Sequence, residues 1–133
     1  MTSSQPIMSR SAHIALWVVQ GLLAVLFIFA GGMKLVMPIA ALTKDMPLPG
    51  AFVRFIGVLE LLGGLGLVLP GLLHFRPALT PLAALGLVII MSGAFGVALL
   101  TGPAGTAPIP VVVGILLAIV ALVRGRALRT PLA

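Results

Sequence analysis

IALWVVQGLLAVLFIFAGGMKLV, Ile14 to Val36, is a run of 23 residues in which Lys34 is the only charge and Gln20 the only other strongly polar side chain. A helix of that length crosses about 30 Å of hydrocarbon with some tilt. Pro38 stops it. A cleavable leader would use Arg10 as its basic region, but its apolar part would cover only roughly 7 to 15 residues, so the run reads as a retained membrane helix.

The rest of the chain repeats that pattern. Of 133 residues 61% are hydrophobic and only 8% charged, with a mean hydropathy of +1.32. So few charges cannot cover a water-soluble globule. The net charge of +6 and pI near 12.0 would fit a nucleic-acid binder, but the basic residues stand singly at the ends of apolar runs and form no stripe. They read as topology signals, and no nucleic-acid partner is expected. With no cysteine, the chain has no disulfide, no thiolate metal site and no thiol redox chemistry of its own.

Three further runs complete the set. The second covers about 52–69 and is closed by Pro70 and Gly71; the third, about 80–101, opens with Thr80 as a cap and Pro81 at the first helical position. The fourth, about 107–124, carries Pro108 and Pro110 in its opening turn. The expected fold is therefore all-α: a single transmembrane domain over 1–133, a four-helix bundle with helices at about 14–36, 52–69, 80–101 and 107–124.

Loop charges orient the bundle. Arg10, Arg76, Arg124, Arg126 and Arg129 share one side, against Lys44 and Arg54 on the other. The positive-inside rule, which disregards Asp45, then predicts both termini in the cytoplasm. The first loop, Met37 to Pro49, is proline-rich and stiff enough to pack on the bundle as a short cap, while the third, Gly102 to Thr106, is small and uncharged.

Lys34 and Glu60 are the charges that need an explanation, since one at the centre of a span costs about 2.5 to 3.5 kcal/mol on insertion scales. Lys34 precedes Pro38 by four residues and Glu60 follows Phe52 by eight, which puts them roughly 6 and 12 Å below the outer boundary. Helical side chains lean toward the N-terminus, so on antiparallel helices the two heads converge into an ion pair. Arg54, one turn nearer the surface, competes for Glu60. Two uses stand open for each residue: Lys34 pairs or snorkels, and Glu60 is a structural partner or exchanges a proton or ligand.

The neighbours point to a packed location. Gln20, Phe27 and Lys34 recur every seven residues on one face, so Gln20 reads as supporting polarity. Gly31, Gly57, Gly63 and Gly64 read as helix-packing positions beside the pair, and Gly93 and Gly96, with Gly86 and Ser92, give the third helix a smooth side of the same kind. Trp17 fits an interfacial anchor. His13 and His74 fall at the cytoplasmic boundary, too few for a metal site and misplaced for a buried haem. No catalytic residue set can be assembled from these side chains, and the chain is not expected to be an enzyme on its own.

Phe29-Ala30-Gly31-Gly32-Met33-Lys34-Leu35, then Phe55-Ile56-Gly57-Val58-Leu59-Glu60-Leu61-Leu62-Gly63-Gly64 and Leu67-Val68-Leu69-Pro70, resemble the DoxX-like family of small four-helix membrane proteins. The resemblance extends through Gly93-Ala94 to the basic Val123-Arg124-Gly125-Arg126 ending. Many relatives carry a histidine late in the third helix; here that region reads Phe95-Gly96-Val97-Ala98-Leu99-Leu100, and its role is not carried over. The resemblance implies a bacterial inner-membrane protein, since named members include a subunit associated with thiosulfate:quinone oxidoreductase and others are linked to membrane redox complexes. On this reading the chain is an accessory or scaffold subunit associated with an oxidoreductase, embedded in the lipid bilayer beside a membrane protein partner or in a homo-oligomer. It would hold no cofactor covalently or through metal ligands, and a quinone or a partner would carry the electrons. The alternative is a small proton-coupled transporter acting as an oligomer through Glu60. Small multidrug transporters share its size and layout, but they place the essential acid on the first helix.

Overall fold

A computed structural model describes residues 9–44, 48–101 and 107–129. Four long helices carry the fold: α1 (Arg10–Val36), α3 (Gly50–Leu72), α4 (Leu79–Thr101) and α5 (Pro108–Arg129), with a single helical turn, α2 (Ile39–Leu42), between the first two. All four are long and apolar enough to cross a membrane. Asp45 and the third loop, 102–106, lie outside the described residues.

The helix ends differ from those expected of hydropathy alone. Helix α1 begins a turn before its apolar run because Ser9 caps it, its Oγ accepting the Ala12 amide at 3.1 Å. It ends at Val36, and Met37 is extended (φ −67, ψ 148), as the residue before a proline must be. Helix α3 does not close at Pro70: it continues to Leu72, with Pro70 buried inside it. A proline there has no amide to give the carbonyl four residues back, Gly66. The hydroxyl of Thr80 donates to that carbonyl at 3.1 Å instead. Thr80 is consequently not the cap of α4, which already starts at Leu79. The turn between α3 and α4 has His74 and Arg76 at positive φ (51 and 39), with the Arg76 guanidinium 5.7 Å from the Phe75 ring centre.

Packing groups the helices as two antiparallel pairs, α1 with α3 and α4 with α5, joined chiefly through α3 and α4, with a thinner seam between α1 and α5. Each pair buries a narrow stripe and leaves the rest of its apolar surface outward, as lipid-facing helices do. On α1 the stripe is Leu16, Gln20, Leu23, Ala24, Phe27 and Gly31; on α3 it is Val53, Gly57, Glu60, Gly64, Leu67 and Pro70. Ala84, Leu87, Leu117 and Val120 complete the core from α4 and α5. In the first loop, α2 seats Ile39 on Gly50 at the start of α3, where any Cβ would collide with it.

Candidate intramembrane site

Glu60 sits on the buried stripe of α3 and Lys34 in the last turn of α1, and Nζ of Lys34 lies 2.9 Å from Oε1 of Glu60. Close backbone approach brings them together. A Cβ on Gly31 would stand 2.5 Å from the Gly57 carbonyl oxygen, and one on Gly64 would stand 3.1 Å from the Ala24 carbonyl oxygen. Gly63 makes room for the Leu87 side chain of α4 in the same way, so α3 presents small residues to two neighbours. The two ends of the ion pair differ in access: the Glu60 side chain is 4% exposed, that of Lys34 25%.

Arg54 is not the competitor for Glu60 that its position implied. Its Nη1 donates to the carbonyls of Leu35 at 2.6 Å and Lys34 at 3.2 Å, and its Nη2 to that of Met37 at 3.0 Å. The last carbonyls of a helix have no amides ahead of them, and a cation suits the negative end of the helix dipole. Arg54 thus caps α1 from α3.

Gln20 shares the face of Phe27 and Lys34, but 14 residues of helix, roughly 20 Å, separate it from the ion pair. It builds a second polar centre at the opposite end. Its Nε2 donates to the Leu67 carbonyl at 2.6 Å, and its Oε1 accepts from Nε of Arg124 at 2.7 Å, which ties α1, α3 and α5 together. The Arg124 guanidinium stands 5.4 Å from the Trp17 ring centre, and its Nη1 is 3.4 Å from Nδ1 of His13. In the sequence Arg124 reads as a topology charge and as part of the basic ending, with no partner assigned. The signal for Arg124 is Gln20 itself, an amide deep in an apolar run that needs partners for both ends and finds them here rather than at the Lys34 pair.

Between the helix pairs, on the Lys34 side, lies a cavity of about 1180 Å³ bordered by all four long helices. Its wall is apolar, with Phe27, Phe52 and Phe55 among its aromatic side chains, and Lys34 and Glu60 are its charged groups. Gly93 lines this space, and neither Gly93 nor Gly96 is a packing position: a Cβ on either would meet nothing within 4 Å. The helix pairs stand too far apart there for small residues to bring backbones into contact. Among the described residues no group of three His, Cys, Asp or Glu could hold a metal ion.

The sequence match decides the family. The model of the DoxX-like family matches residues 18–120. This chain belongs to the DoxX-like family. No curated protein and no solved structure matches it. The stretch matched in this DoxX-like protein contains Gln20, Lys34, Arg54 and Glu60 and the whole cavity wall. His13, Trp17 and Arg124 lie beyond its two ends.

Proposed function

We propose that this DoxX-like protein is an accessory subunit of a bacterial inner-membrane oxidoreductase that holds an isoprenoid quinone in the cavity beside Lys34 and Glu60. The observation that carries the reading is the cavity itself: an apolar space of about 1180 Å³, beyond the roughly 300 to 1,000 Å³ of ordinary ligand pockets, with a part-exposed ammonium in its wall. An ammonium has three donors. Glu60 accepts one, which leaves Lys34 able to donate to a ligand carbonyl while the carboxylate fixes its position. Phe52 and Phe55, both exposed, offer aromatic surface to a flat ring, and the apolar wall suits a prenyl tail. A bound quinone would supply two-electron chemistry, and a partner protein in the membrane would supply or take the electrons. The chain itself binds and orients. Proton-coupled transport through Glu60 ranks second, because that carboxylate is buried and engaged with Lys34 rather than presented to the cavity alone.

The test is to purify the protein from its native membrane in mild detergent and compare quinone retained per chain with quinone in bulk lipid. Enrichment that falls about tenfold in Lys34→Met, the loss expected for one hydrogen bond from a charged group, supports the reading. No enrichment over bulk lipid overturns it. A stable Glu60→Gln protein that loses proton-driven uptake of a lipophilic cation in liposomes would establish the transporter instead.

A further inference from the structure

At the end of the bundle remote from the cavity, Arg124 is a cation with no acid beside it among the described residues. Among the described residues the only carboxylate side chain is Glu60, which pairs with Lys34; Asp45 lies outside them. The Nε of Arg124 is satisfied by Gln20, but among the described residues Nη1 has only the long 3.4 Å approach to His13, and Nη2 is buried with no hydrogen-bond partner. Leaving such donors unmade is costly, most of all on a charged group. The seam they occupy, between α1 and α5, is much thinner than those of α1 with α3, α4 with α5 and α3 with α4. His13 on its outer edge is exposed.

We propose that Arg124, His13 and Trp17 form a site for the phosphate of an anionic phospholipid. A phosphate seated where Nη1 now meets His13 can accept a charge-assisted hydrogen bond from Nη1, on the exposed side of the guanidinium. His13 lies beside it to donate a further hydrogen bond when protonated or in the matching tautomer. Trp17 lies against the guanidinium, with its own ring packed on Gly71 of α3. The position is that of a headgroup: Arg124 is near the end of a spanning helix, Trp17 near the start of another, and indole rings favour the membrane interface. Arg10 and Arg126 stand at the same helix ends, giving this face a positive charge that favours an anionic lipid over a zwitterionic one. The inference is independent of the quinone reading, because the site lies at the other end of the molecule and uses other residues.

Delipidated protein in detergent is titrated with phosphatidylglycerol, with phosphatidylcholine and with inorganic phosphate, following bound lipid by native mass spectrometry and stability by thermal unfolding. Phosphatidylglycerol should bind about fivefold more tightly than phosphatidylcholine and raise Tm, and Arg124→Gln should abolish that preference, since one basic side chain near an anionic lipid surface is worth about that factor. His13→Ala, which leaves the Gln20 contact intact, should weaken it in a protein that still folds. Equal binding of the two lipids by the unaltered protein would overturn the proposal whatever the variants do. Inorganic phosphate that raises Tm as much as phosphatidylglycerol and competes with it would overturn the lipid assignment in favour of a soluble anion.

Discussion

Gly57 lies against Lys34 so closely that a Cβ added to it would stand 2.7 Å from the Cβ of Lys34. The ion pair and the glycines are therefore one device. Lys34 reaches Glu60 because α1 and α3 meet nearly backbone to backbone, and they meet that way because Gly31 and Gly57 have no side chains to hold them apart.

Alanine at these glycines should separate packing positions from open ones. At Gly31 a methyl group meets the Gly57 carbonyl oxygen at 2.5 Å and the Leu61 amide nitrogen at 2.7 Å, backbone atoms that cannot rotate away. Gly31→Ala should cost about 1 to 3 kcal/mol, the usual penalty of overpacking. Gly93→Ala adds a methyl to open space and should be neutral or stabilise by up to about 1 kcal/mol through helix propensity alone. Unfolding in mixed micelles ranks the two, and equal effects would show that the pairs close up around Gly93 in the membrane.

The ion pair should respond asymmetrically to mutation. Lys34→Met strands a carboxylate that is 4% exposed and should cost about 3 kcal/mol, the lower end for a broken buried pair. Glu60→Gln strands an ammonium that is 25% exposed near a helix end, and snorkelling should hold its cost to about 1 kcal/mol. The double variant should recover much of the larger loss in a thermodynamic cycle. Strictly additive losses would mean that Lys34 and Glu60 are not coupled.

Much of this was legible because lipid demands long apolar runs, and a run such as Ile14 to Val36 has no other use. Depth was legible too, and it brought Lys34 and Glu60 to compatible levels. What a sequence does not carry is the rotation of each helix and its choice of neighbour. Arg54 has the right depth to meet Glu60, yet its reach is spent on the carbonyls that end α1. Gly93 and Gly96 have the composition of an interface, but smallness makes a contact only where another backbone comes near. Hydropathy also hides polar first turns, so α1 gained Arg10 to His13 from a cap at Ser9.

Thr80 and Pro70 should show compensation across the turn between α3 and α4. Thr80→Val keeps the shape and removes the hydroxyl that serves the Gly66 carbonyl, for an expected cost of about 1 to 2 kcal/mol. In a Pro70→Ala background the restored amide at position 70 can serve that carbonyl from within the helix. Thr80→Val should then cost little, as thermal unfolding of the four proteins would reveal. An undiminished cost in the alanine background would assign Thr80 to packing rather than to the repair of α3.

Topology is the last expectation to test, and the structure narrows it. The start of α1 and the end of α5 lie together, since Arg124 reaches both His13 and Gln20. Both described ends of the chain are therefore on one side of the membrane, and only the choice of side is left. Five basic residues mark this side, Arg10, Arg76, Arg124, Arg126 and Arg129, against Lys44 and Arg54 on the other. By the positive-inside rule that asymmetry predicts the end holding Arg124 in the cytoplasm. A reporter fused after Ala133 should be active only if it is a cytoplasmic type, and a periplasmic reporter active there would reverse the bundle. Moving charge should weaken the preference: with Arg10, Arg124, Arg126 and Arg129 changed to Gln, Arg76 alone is left to hold that side inward against Lys44 and Arg54. A mixed orientation of the fusion protein is the expected result, and unchanged orientation would show that something other than loop charge inserts this chain.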